Sequence, residues 1–88
     1  MDETAQNAWV VYILRCADGS FYTGVTVDLD RRCRQHNAGR ASRYTRVRRP
    51  VGVIYQEPQP TRGEAQRREA AIKALTRRQK EMRVLRAG

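Results

Sequence analysis

Trp9-Val10-Val11-Tyr12-Ile13-Leu14-Arg15-Cys16, Ala17-Asp18-Gly19 and Ser20-Phe21-Tyr22-Thr23-Gly24-Val25 together form the stretch from which the fold is read. The first run is β-branched, aromatic and nearly all apolar, which predicts a strand buried on both faces. Ala17-Asp18-Gly19 is a turn signal, and Phe21 to Val25 predicts a second strand, so the pair is an antiparallel hairpin. Loop length then decides where the tyrosines go. A two-residue Asp18-Gly19 loop would pair Ala17 with Ser20 and put Tyr12 and Tyr22 on opposite faces. A three-residue loop with Gly19 in a left-handed bulge pairs Cys16 with Ser20 instead. Leu14 then faces Tyr22, Tyr12 faces Gly24, and both rings share one face. The missing side chain at Gly24 leaves space beside the Tyr12 ring. The three-residue loop is the expectation.

Downstream, Asp28 is a good N-cap and Gly39 a good terminator, which predicts a helix over roughly Leu29 to Ala38. Its inward stripe is Leu29, Arg32, Cys33 and His36, at i, i+3, i+4 and i+7. Leu29 and Cys33 supply the apolar contact. Arg32 beside them is either a snorkelling cation or one half of a functional Arg–His pair, and the pairing with His36 favours the second. Gly39 to Pro50 reads as a basic loop with one aromatic, suited to phosphate contacts or simply to a solvated charged surface. Arg40, Arg43, Arg46 and Arg48 of this loop and Arg31 of the preceding helix are the candidate nucleic-acid contacts, with Tyr44 available to stack or to anchor the loop. Val51 to Gln56 predicts a third strand, ended by Glu57-Pro58-Gln59-Pro60. Thr61-Arg62-Gly63-Glu64 is a capping box opening a helix with Ala65, Ile72 and Leu75 inward. A break near Thr76 precedes a last helix to Leu85, with Met82 and Leu85 packing back. The order is β-β-α-β-α-α, an α+β domain over residues 9–88 behind a loose tail at residues 1–8.

Composition narrows the partner. The 88 residues carry a net charge of +9, from 18 Lys+Arg against 9 Asp+Glu, and Arg31 to Arg49 contains no acid. That excess of one sign calls for a polyanion, nucleic acid ahead of membrane. A membrane span is not expected, since no apolar run approaches the ~20 residues it needs. Cys16 and Cys33 form no CxxC pair, so structural zinc is not supported, and two lone thiols fit a reducing cytoplasm. The polar start carries no targeting signal.

The acids are few enough to sort by position. Asp2 and Glu3 fall in the tail, Asp18 in the turn, Asp28 and Asp30 at a helix start, Glu57 in the stretch that ends the third strand, and Glu64 in the capping box. Glu81 lies among Arg78, Lys80 and Arg83. Glu69 remains, mid-helix, although the helical wheel alone does not prefer it to Glu64, and an i,i+4 pair with Lys73 would explain it equally well. One carboxylate is no metal cage, but it can hold a magnesium ion that keeps most of its waters and takes a phosphate oxygen. Two tyrosines, an arginine, a histidine and one acid make a coherent phosphodiesterase set. A free tyrosine, pKa about 10, is a poor base near neutrality. Arg32, a metal ion or proton transfer to His36 would each favour its phenolate.

At these residues the chain resembles the GIY-YIG nuclease superfamily, in particular its small stand-alone single-domain members, from Val11 to about Leu85. The matching pieces are Val10-Val11-Tyr12, Tyr22-Thr23-Gly24, Asp28-Leu29-Asp30-Arg31-Arg32, His36-Asn37-Ala38-Gly39, Tyr44-Thr45 and Arg68-Glu69-Ala70-Ala71-Ile72-Lys73. The resemblance implies a three-stranded antiparallel sheet flanked by helices and metal-dependent cleavage of a nucleic-acid backbone. It implies Tyr12 and Tyr22 as the motif tyrosines, Arg32 as the helix arginine, His36 at a His-or-Tyr position and Glu69 as the ligand of one Mg2+ or Mn2+ ion. Tyr12 is read as the base, with His36 taking or orienting its proton and Tyr22 positioning water and phosphate. Lys73 joins the nucleic-acid contacts. Val10 and Thr23 depart from the motif's Gly and Ile, and the C-terminal third lacks an Asn that some relatives use at the site. The expected substrate is DNA ahead of RNA, with targeting left to the basic face or a protein partner. A non-catalytic nucleic-acid-binding module is the alternative, and a ribonucleoprotein component a third reading.

Overall fold

A computed structural model describes residues 8–87; residues 1–7 and Gly88, and with them almost all of the expected tail, lie outside the described residues. The chain forms β1 (Trp9–Arg15), β2 (Phe21–Thr26), α1 (Leu29–Asn37), α2 (Arg43–Arg46), β3 (Gly52–Gln59), α3 (Arg62–Lys73) and α4 (Arg77–Ala87). The sheet is antiparallel with order β2-β1-β3, so the most apolar strand is central. Val11 and Ile13 are buried on one face with Tyr55, Ala65 and Ile72. Tyr12, Leu14 and Cys16 are buried on the other with Val51, against Leu29 and Cys33 of α1. The near-continuous apolar run of β1 thus serves two cores.

The hairpin closes through the three-residue loop. Cys16 N–H donates to Ser20 O at 2.8 Å and Gly19 N–H to Cys16 O at 2.9 Å. Gly19 sits at φ +85°, a conformation that side chains disfavour. Tyr12 therefore pairs with Gly24 and Leu14 with Tyr22. The Asp18 carboxylate fixes the turn by accepting from the Ser20 N–H (3.0 Å) and hydroxyl (2.6 Å).

Three expectations are corrected. The Gly39–Pro50 segment is not all loop: Ser42 caps the single turn α2 by accepting from Thr45 N–H at 3.1 Å. Next, β3 does not stop at Gln56 but runs on through Glu57-Pro58 to Gln59. It is an edge strand, where a proline's missing N–H can face away from the ladder. Finally, Met82 and Leu85 do not pack back; they are 47% and 72% exposed. Thr76 caps α4, taking the Gln79 N–H at 3.2 Å, and the half-covered stripe that results is Lys80, Arg83 and Val84. Val84 is the residue that reaches the Val11–Ile13 core.

Glu57 ties β3 to α3. Its carboxylate accepts from Arg68 Nε at 2.6 Å and Nη2 at 3.1 Å, from Gln59 Nε2 at 2.8 Å and from the Tyr55 hydroxyl. The Arg68 hydrogen bonds pull the carboxyl down to about 2, against its desolvation. Because the folded value lies below the ordinary one, the unfolded chain binds more protons between them. The contribution is complete above pH 4.5 and is lost as pH falls toward 2. Thermal midpoints measured across that interval should therefore fall more steeply for the wild type than for Glu57→Gln.

Candidate nuclease site

The site is built where the Tyr12 side chain crosses β2. A Cβ placed on Gly24 would lie 2.6 Å from Tyr12 Oη and 2.7 Å from Cζ, so the glycine is what lets the phenol through. Gly24→Ala should expel the ring, costing about 1–3 kcal/mol of stability by overpacking. Denaturant unfolding reads that cost, and Tyr12-dependent activity should be lost with it.

Beyond Gly24 the phenol meets α1. Tyr12 Oη lies 2.9 Å from His36 Nε2, and His36 Nδ1 lies 2.7 Å from Thr45 Oγ1. Ser42 Oγ is 3.0 Å further on, so the one-turn α2 supplies the end of the chain of contacts. Tyr12, His36 and Thr45 are 1%, 1% and 0% exposed. Burial pushes the Tyr12 phenol up to about 12, helped by Tyr22, while Arg32 draws it back by charge and hydrogen bonding. Arg32 thus favours the phenolate as expected, but desolvation outweighs the guanidinium and the net shift is upward. Burial also lowers the His36 pKa, and Arg32 lowers it further. His36 is therefore neutral near pH 7 and has one nitrogen free to accept.

Tyr22 flanks the imidazole edge-on at 5.1 Å between centroids, and Tyr44 stacks on Tyr22 at 6.1 Å and 26°. The Arg48 guanidinium lies 3.8 Å from the Tyr44 centroid and pairs with Asp18 at 3.1 Å. Tyr44 thus anchors α2 and extends the aromatic surface at once. Glu69 approaches from α3, close enough that its charge acts on the Tyr12 phenol. Its carboxylate, on a side chain 23% exposed, meets Lys73 Nζ at 3.2 Å. The i,i+4 pair that would explain Glu69 without a functional role is present.

The structure thus brings Tyr22, Arg32, His36 and Glu69 around the Tyr12 phenol where it crosses β2. It does not gather the basic candidates. Arg31 and Arg40 line a shallow cleft with Arg34, while Arg46 lies with Arg49 and Pro50 in another. Arg43 is exposed on α2, and Arg48 is tied to Asp18 and Tyr44. Lys73 and Tyr44 line a notch with Phe21, Tyr22, Thr23 and Lys80. Thr45 and Lys80 were not singled out by sequence reading. Ser42 as an N-cap three residues earlier was the available signal for Thr45; Lys80 had none.

Residues 8–82 match the family model described as the GIY-YIG catalytic domain. The chain belongs to the GIY-YIG family. It is 51% identical over 75 residues to the UPF0213 protein DP2720 of Desulfotalea psychrophila, covering 84% of this chain and 68% of that one. It is 49% identical over 75 residues to a UPF0213 protein of Staphylococcus aureus, covering 85% and 90%. Among solved structures it resembles the solution structures of the UPF0213 protein BH0048 from Bacillus halodurans and of EF2693 from E. faecalis. TM-scores are 0.57 and 0.61, at 45% and 46% identity, each covering 88% of this chain and 82% of the other. GIY-YIG is a nuclease family whose members typically use a divalent metal ion.

In this GIY-YIG chain the donors suit such an ion only in one form. Among the described residues no group of three or more His, Cys, Asp or Glu side chains converges. Glu69 is a partly solvated carboxylate whose partner is an exposed lysine, so a hard cation could displace that partner without breaking a buried network. One such oxygen ligand fits a hydrated magnesium-like ion completed by water and a phosphate, not a closed protein cage.

Proposed function

We propose that this chain is a metal-dependent endonuclease that hydrolyses nucleic-acid phosphodiester bonds, DNA ahead of RNA, with Tyr12 as the proton-accepting group. The observation that carries this reading is the buried Tyr12–His36–Thr45 contact chain beside Arg32 and Glu69. Neutral imidazole offers one donor and one acceptor. With Nδ1–H donating to Thr45 Oγ1, Nε2 accepts from the Tyr12 hydroxyl. Tyr12 Oη can then take a proton from an attacking water as its own proton passes to Nε2. No free phenolate has to accumulate, which is how a phenol at about 12 still serves near neutrality. Arg32 neutralises charge that develops on the phosphate, and Tyr22 holds the imidazole edge and the aromatic wall of the cleft. A magnesium ion on Glu69 would supply Lewis-acid polarisation of the phosphate oxygen.

Since the relay needs neutral His36 and its pKa is lowered, activity should persist below pH 6.5 before the acid limb appears. The test is purified protein with supercoiled plasmid, branched and single-stranded DNA and RNA, with magnesium or manganese, across pH 5–9. Cleavage with that acid limb supports the reading. No cleavage of any substrate leaves the non-catalytic binding module in its place.

A further inference from the structure

The chain contains only two lysines, Lys73 and Lys80, among its 18 basic residues. They come from different helices, α3 and α4, yet line the same notch of about 260 Å³ with Phe21, Tyr22, Thr23 and Tyr44. Lysine is ordinarily among the most exposed residue types. Lys80 is instead half-buried on the inward stripe of α4, and it makes no ion pair among the described residues. Its neighbours are satisfied: Arg77 pairs with Glu81 at 3.0 Å and lies over the Phe21 ring at 3.9 Å, and Lys73 meets Glu69. A lysine whose stem is half-covered and whose ammonium meets no carboxylate is free to take an anion in the notch.

Spacing says which anion. Gly24 marks the point beneath Tyr12 Oη, and the notch opens over Phe21 to Thr23, about two residues back along β2. At ~3.3 Å per strand residue that is roughly 7 Å. On α3, Lys73 lies one turn past Glu69, about 6 Å at 1.5 Å per residue. Both displacements run at the scale that separates consecutive phosphates of a nucleic-acid strand. The notch holds a phosphate and a few waters, not a base pair.

We propose that Lys80, with Lys73, forms a second phosphate subsite that holds the backbone phosphate next to the scissile one, with Tyr22 and Tyr44 as its aromatic wall. This rests on the nuclease reading for what lies next door, but its binding role stands or falls separately. The subsite would set which phosphate enters the Tyr12 position and would give the chain a grip on the strand that its dispersed arginines do not provide.

The test is equilibrium binding of a DNA duplex by wild type, Lys80→Gln and Lys80→Arg from 50 to 300 mM salt. Removing one phosphate contact makes the log–log salt slope shallower by about 0.9, a loss of about eightfold at 0.1 M salt. Lys80→Gln should show both effects and Lys80→Arg neither. A set of duplexes with a single neutral methylphosphonate at successive positions locates the contact. One position should weaken wild type by a similar factor and leave Lys80→Gln unaffected. If Lys80→Gln keeps the wild-type slope, or no single position is silenced by it, the subsite is overturned even where cleavage is normal. If the slope changes as expected and no cleavage occurs, the nuclease reading fails and the subsite survives.

Discussion

Tyr12→Phe should lower the cleavage rate by about 10²–10⁴-fold, the range a positioned acid–base group contributes. The substitution keeps the ring over Gly24 and removes only the oxygen 2.9 Å from His36 Nε2. It therefore separates a packing role from a proton-transfer role, because the core volume hardly changes. Leaving His36 Nε2 without its partner costs about 1–3 kcal/mol of stability, so the thermal midpoint must be measured beside the rate and rates taken well below it. Nucleic-acid affinity should be unaltered. If Tyr12→Phe cleaves like wild type, the buried relay is structural and the proton goes elsewhere. Burial already sets the folded phenol at about 12, and the sign of that shift matters for the pH profile. A raised phenol pKa puts no alkaline loss from Tyr12 ionisation in the neutral range, so the profile should be limited on its acid side.

Glu69→Gln should abolish metal-dependent cleavage while binding holds or tightens. Lewis-acid stabilisation is worth several kcal/mol, and each 1.36 kcal/mol is a factor of ten in rate, so the loss should be on the order of 10²-fold or more. The amide is nearly isosteric and cannot hold a divalent cation as a carboxylate does. It also frees Lys73, now 3.2 Å from the carboxylate, to meet phosphate. A merely structural i,i+4 pair predicts the opposite pattern: a few tenths of a kcal/mol of helix stability and unchanged cleavage. Single-turnover rates titrated with magnesium, alongside affinity measured without it, distinguish the two.

The hairpin was legible because its information is local. The apolar run Trp9–Cys16, the turn chemistry of Ala17-Asp18-Gly19 and the glycine opposite Tyr12 fix register within a few residues of one another. The α1 stripe was legible for the same reason, since Arg32 and His36 share a face with Leu29 and Cys33 by periodicity alone. Sequence alone ends the third strand at Gln56, because a proline acts as a terminator except on an edge strand, and only the sheet order makes β3 an edge. Met82 and Leu85 misled because the phase of α4 is set by the Thr76 cap and by the single place Val84 can dock, not by counting apolar residues.

By itself the sequence determined the two-sided β1 core, the caps at Asp28 and Thr61 and the basic excess, made the three-residue turn the expectation, and through the motif supplied the five candidates for the proposed chemistry. Those are properties of short spacings, composition and motif. Only the tertiary structure decided that Glu69 comes close enough for its charge to act on the phenol that also meets Arg32 and His36, because α3 packs across β1 and β2. It alone placed Thr45 Oγ1 behind His36, 2.7 Å from Nδ1, and turned Lys80 into the notch beside Tyr22. It also set the net balance on Tyr12. A sequence shows that an arginine is near, but the desolvation that outweighs it depends on how completely the ring is covered, and coverage is a property of packing.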